Sequence, residues 1–106
     1  MENIRSIFTK NNFNLTKQTS KADEFENKDT SEVIYLVPNK QINIILNPNI
    51  VEKKAILRSD GKLHSTALTL FPKEQNKGAN LIQYGYSFKF KTEDELDSFL
   101  DSFNRI

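Results

Sequence analysis

The sequence predicts an α+β domain. It is a two-layer sandwich in which a mostly antiparallel sheet of about five or six strands carries the N- and C-terminal helices on one face. Three observations carry this. First, Tyr84, Tyr86, Phe88 and Phe90 alternate with Gly85, Ser87, Lys89 and Lys91, the period of two of a strand with one aromatic face. Second, the period then changes, because Leu96, Phe99, Leu100 and Phe103 fall at i, i+3, i+4 and i+7, one stripe of a helix. Third, two apolar runs, Val33–Val37 (VIYLV) and Ile42–Leu46 (INIIL), stand on either side of a Pro38-Asn39 turn. Short links between successive strands favour antiparallel pairing. A helix and a sheet that each have one apolar face bury them against each other.

The elements follow in order. Ile4, Ile7 and Phe8 give Glu2–Lys10 an amphipathic helical spacing, and Asn11 and Asn12 suit its end because Asn tolerates the left-handed conformation. Phe13 and Leu15 alternate with polar residues, a first strand running to about Lys17. Thr19–Glu32 is almost wholly polar, with Phe25 its one large apolar residue. It reads as a solvated loop or an edge strand held by Phe25; the alternative is a mobile acidic loop with a binding role. Val33–Val37 is apolar on both faces, as in a central strand covered on both sides. Ile42–Leu46 returns as its hairpin partner, and Asn47-Pro48-Asn49 stops it.

Ile50–Arg58 is ambiguous between a helix with Ile50, Lys54 and Leu57 on one face and a strand starting at Ala55. Asp60-Gly61 signals a turn. Thr66–Phe71 alternates and reads as a strand ended by Pro72, and Lys73–Asn80 as a polar loop. Thr92 and Glu95 have the spacing of a capping box at the entry to the last helix, where Glu93 and Glu95 also suit the positive end of the helix dipole.

At 106 residues the chain is expected to be one domain, 1–106. It has no cysteine, which excludes thiol catalysis, disulfides and thiolate metal sites and agrees with a reducing, cytoplasmic setting. With 15 Lys and Arg against 14 Asp and Glu the formal charge is +1, far from the balance of a dedicated nucleic-acid binder. No apolar run approaches the roughly 20 residues that span a bilayer. The N-terminus has no secretory h-region. Abundant Asn, Lys and Ile point to an AT-rich genome, that of a low-GC bacterium or its phage.

These pieces carry a resemblance. The first helix through FNLTKQTSKADEF to Val33–Val37, then Ile42–Pro48, then Tyr84-Gly85 and the acidic helix Asp94–Phe103, resemble the small bacterial YgaC proteins. That group is similar in structure to the N-terminal domain of the TfoX competence regulators, a two-layer α/β fold akin to secretion chaperones. The resemblance implies the fold. It supplies no catalytic motif to transfer, and Ile50–Lys77 lies outside it.

Chemistry-bearing residues are few. His64 is the only histidine and sits in SDGKLHS, near Asp60 and Lys62. A lone histidine with no cysteine builds no metal site of the usual kind. The bland reading is a surface histidine beside a turn; the sharper one is a small enzyme centred on His64 with Asp60 or Lys62. With three glycines, Gly61, Gly78 and Gly85, there is no phosphate-binding glycine loop. Asp94, Asp97 and Asp101 form one stripe of the last helix, read as its solvated face.

Basic residues gather in the second half. Arg58, Lys62, Lys73, Lys77, Lys89 and Lys91 are the candidate anion- or nucleic-acid-binding set, with Lys89 and Lys91 on the reverse of the aromatic face. Tyr84, Tyr86, Phe88 and Phe90 imitate a base-stacking platform, but the helical stripe makes them core. Val33–Val37 and Ile42–Leu46 are apolar on both faces, and because Ile34, Leu36 and Ile45 cannot all face one core, the outer side of the hairpin asks for a cover that a second copy of the chain would supply. The expectation is therefore a non-catalytic binding or regulatory module without catalytic residues, metal or cofactor. Its partner is a protein or a second copy of itself, with nucleic acid as the alternative and no membrane.

Overall fold

The computed structural model describes residues 2–54, 57–76, 78 and 80–105. In chain order its elements are α1 (Glu2–Lys10), β1 (Phe13–Gln18), β2 (Asp23–Asn27), β3 (Val33–Val37), β4 (Ile42–Leu46), α2 (Pro48–Lys53), β5 (Gly61–His64), β6 (Lys73–Gln75), β7 (Leu81–Phe90) and α3 (Glu93–Phe103). The sheet has seven strands, in the order β1-β2-β3-β4-β7-β5 with β6 also on β7, and every pairing is antiparallel. No described helix is long and apolar enough to cross a membrane.

The expected architecture holds: α1 and α3 pack on one face of the sheet. Ile4 and Phe8 from α1, and Leu96, Leu100 and Phe103 from α3, meet Phe13, Phe25, Ile34, Leu36, Ile44, Leu46 and Phe88 in one core. Phe8 stacks on Phe25 with centroids 4.0 Å apart and meets Phe13 edge-on at 5.7 Å. Phe99 lies 5.3 Å from both Phe88 and Phe90. The helix ends are those the sequence signals. Asn12 takes φ 74° after α1. At α3, Thr92 Oγ1 accepts from Glu95 N–H while Glu95 Oε1 accepts from Thr92 N–H, a complete capping box.

Six expectations change. The strand expected at Thr66–Phe71 is an irregular segment that crosses the sheet face opposite the helices. Its Leu68 and Phe71 are buried with Ala22, Tyr35 and Ile45. The reverse side of the hairpin is thus covered by this chain, and no second copy is required for it; Ile34 and Leu36 themselves face the helix-side core. The polar stretch Thr19–Glu32 contains β2, which is internal and not an edge. Its carboxylates tolerate burial because each has partners: Asp23 takes two hydrogen bonds from Arg5, and Glu24 takes the hydroxyls of Thr16 and Tyr35. Lys73–Asn80 is not all loop, since Lys73–Gln75 forms β6. Within Ile50–Arg58 the residues Ile50–Lys53 belong to the short α2, which begins earlier because Asn47 caps it and Pro48 takes the first helical turn, while Ala55, where the alternative strand would start, lies outside the described residues. Finally, Asp97 is not part of a solvated stripe: it is half-buried and accepts from Lys10 and Asn11.

β7 is flanked on both sides. Ser65 N–H donates to the Gln83 carbonyl, whereas Tyr84 N–H donates to the Pro72 carbonyl. Successive strand residues aim these groups at opposite edges, so β5 and β6 hold opposite edges of β7, and the 65–72 segment passes over β7 to join them. Gly85 lies under that crossing. A Cβ there would sit 2.4 Å from Ile45 Cγ2, 2.8 Å from the Leu46 carbonyl oxygen and 3.0 Å from Phe71 Cδ2.

Candidate functional site

A cleft of about 490 Å³ opens on the helix side of the sheet; a recess of about 530 Å³ beside Lys91 is a more open surface hollow. Three elements wall the cleft: the turn between β2 and β3, the α2 helix, and the C-terminal end of α3. Clefts that hold small ligands run from about 300 to 1,000 Å³.

One wall is a closed amide network. Asn27 Nδ2 donates to Asn104 Oδ1 at 3.0 Å, and Asn104 Nδ2 donates to the Asn11 carbonyl at 2.7 Å. Asn27 Oδ1 accepts from the N–H groups of Asp29 and Thr30. Asn12 Nδ2 donates to Asp29 Oδ2 at 2.7 Å. These bonds tie the end of α1, the β2–β3 turn and the cap of α3 together, so this wall is shaped before any ligand arrives. The sequence favours the arrangement locally, because asparagine serves in turns and left-handed positions and satisfies backbone groups there.

The other wall is looser. Asn49, Lys53 and Lys54 are exposed along α2 and its end, while Ile50 and Phe103 supply the apolar lining. Asn47 Oδ1 is committed to the Asn49 N–H. The lips therefore differ in charge, with Asp29 and Glu32 on the turn and Lys53 and Lys54 opposite. Among the described residues none of these four enters an ion pair.

The cations singled out from the sequence do not share one surface. Arg58 and Lys89 line a shallow recess with Asp60, Leu57 and three phenylalanines, and the Lys89 N–H donates to Asp60 Oδ2. Lys91 follows β7 and lines a separate recess with Glu93 and Asp94. Lys73 is exposed on β6, opposite Gln83. Lys62 is on the helix-side face, 3.3 Å from Glu74, which raises its pKa through their hydrogen bond. Lys77 lies outside the described residues. The reverse of the aromatic face is only partly open, because Gly85 and Ser87 are buried there.

The aromatic row divides. Phe88 is core and the partly buried Tyr86 packs against it, donating to Glu52 Oε2 of α2 at 3.2 Å, while Tyr84 stands half-exposed next to it; Lys62 Nζ lies 5.1 Å from the Tyr84 centroid and 6.0 Å from that of Tyr86. His64 packs on Tyr84 at 5.9 Å and lies 2.7 Å from Glu74 Oε2, a partner that sequence spacing does not suggest. The hydrogen bond with His64, and after it the Lys62 contacts, hold the Glu74 carboxyl below the usual carboxylate range. His64 is thus tied into a surface network across β5, β7 and β6, and it does not line the cleft between the β2–β3 turn, α2 and the end of α3. Neither Asp60 nor Lys62 is its hydrogen-bond partner.

Comparison with protein families, curated proteins and solved structures returns no match.

Proposed function

We propose that this chain is a non-catalytic binding module that grips a segment of a partner protein in the cleft between the β2–β3 turn, α2 and the end of α3. The observation that carries the reading is the pairing of a preformed amide wall with an apolar lining and with charges on both lips that no described ion pair joins. Binding sites combine these ingredients: apolar surface for affinity and a few fixed polar groups for orientation. A wall ordered in advance also lowers the entropy that binding must overcome.

The test is capture from native lysate after nuclease treatment, with wild-type chain and two variants. Asn49→Trp fills the exposed lip of the cleft; Leu15→Ala alters an exposed residue on the outer strand β1. The expected result is a protein retained by wild type and Leu15→Ala and lost with Asn49→Trp. Equal retention by all three would overturn the assignment. Loss of the captured protein on nuclease treatment would move the reading to nucleic acid, for which Arg58 and Lys89 offer cations in one recess.

A further inference from the structure

The charge pattern of the cleft says more than that something binds. We infer that its ligand is a peptide segment in which an apolar residue stands between an acidic and a basic one, the acid set against Lys53 and Lys54 and the base against Asp29 and Glu32. This rests on the binding-module reading.

The argument is one of complementarity. Two cations and two carboxylates face one cleft, and no described ion pair joins them across it. A polyanion such as a phosphate backbone would meet the carboxylates of one lip, and a polycation the lysines of the other, and like charges brought together are costly. A ligand carrying both signs satisfies both lips at once. Ile50 and Phe103 between the lips call for an apolar group in the middle. Asn27 and Asn104 have their amides committed to each other and to the backbone, so they shape the wall. Asn47 Nδ2 and the amide of the exposed Asn49 stand on the opposite wall, where they suit the alternating N–H and C=O groups of a peptide main chain.

The experiment is an amide NMR titration of the full ¹⁵N-labelled chain with end-capped tripeptides. The probes are acidic–leucine–basic, its glutamine–leucine–glutamine analogue, and an acidic–leucine–acidic control. The dipolar peptide is expected to shift the amides of Asp29, Glu32, Lys53, Lys54 and Phe103. It should bind roughly ten-fold more tightly than the neutral one, the factor given by about 1.4 kcal/mol and within reach of two exposed ion pairs. The advantage should vanish at high salt, and a Lys53→Glu, Lys54→Glu variant should lose it and favour a basic–leucine–basic peptide. Equal binding of the neutral or doubly acidic peptide, with shifts confined to the cleft, overturns the charge assignment and leaves the binding-module reading intact. Absence of any shift in the cleft overturns the peptide class. If capture is then also insensitive to Asn49→Trp, the binding-module reading falls with it.

Discussion

Gly85→Ala is the most demanding perturbation of the packing. Its added methyl would meet Ile45 Cγ2 at 2.4 Å, the Leu46 carbonyl oxygen at 2.8 Å and Phe71 Cδ2 at 3.0 Å. A side chain can turn away, but Leu46 is paired with Tyr86 in the β4–β7 ladder, so its carbonyl moves only with the sheet. Overpacking of a tight interior costs about 1–3 kcal/mol, and a backbone clash places this case in the upper half of that range. Replacing a strand glycine recovers roughly 0.5–1 kcal/mol through the unfolded chain. The net expectation is a loss of about 2 kcal/mol, or a melting temperature lower by roughly 8 °C. Urea unfolding followed by circular dichroism reads it directly, with a midpoint about 1 M lower for an m-value near 2 kcal/mol/M. In a cycle with Ile45→Ala, which removes the nearest contact, the double variant should be less damaged than the sum of the single ones by at least about 1 kcal/mol. A Gly85→Ala protein within about 0.5 kcal/mol of wild type, or an additive cycle, would refute the claim that the crossing segment seats on a bare backbone.

Two further outcomes follow from hydrogen-bonded polar groups, one buried and one half-buried. Tyr35 is buried, donates to Glu24 at 2.7 Å and accepts from the Leu70 N–H at 3.1 Å, and burial raises its pKa, so the hydroxyl keeps its proton through the neutral range. Tyr35→Phe should cost about 1–3 kcal/mol in urea unfolding, because both partners lose their bond. Asp97 has its carboxyl held below the ordinary range, first by the hydrogen bond from Lys10 and then by that from Asn11. A depressed carboxyl lends stability that is present in full above its unfolded pKa, about 3.9, and is lost as the pH falls through the lower folded value. The stability difference between wild type and Asp97→Asn should therefore be constant at neutral pH and shrink below about pH 4, as measured by unfolding at a series of pH values.

The sequence made most of the layers legible, and the reasons are physical. β7 and α3 carry complete periodic patterns, and Thr92 with Glu95 forms the box their spacing requires. β2 was hidden because Asp23 and Glu24 resemble solvent-facing residues until Arg5, Thr16 and Tyr35 arrive from elsewhere in the chain. The alternation at Leu68 and Leu70 imitates a strand, yet tertiary packing sends Leu68 inward and leaves Leu70 exposed. The cleft was the least legible part. Its walls come from residues as far apart as Asn12 and Asn104, joined by side-chain amides that no local period encodes. The hints were compositional: the acidic Thr19–Glu32 stretch, for which a binding role is one of two readings, and the asparagines around Pro48, which read as a strand stop.

The position of β7 governs the order in which this fold can close. Both β5 and β6 pair with β7, and so does β4. A ribosome delivers residues 42–76 first, so three strands and the segment spanning 65–72 emerge before the strand that joins them. Until 81–90 arrive, the sheet has an open slot between β4 and β5. Filling it must coincide with laying the 65–72 strap across Gly85, because that strap links the two edges of the incoming strand. Sheet closure is thus a late, long-range event in the life of the nascent chain, and the last third of the sequence completes the fold begun by the first two.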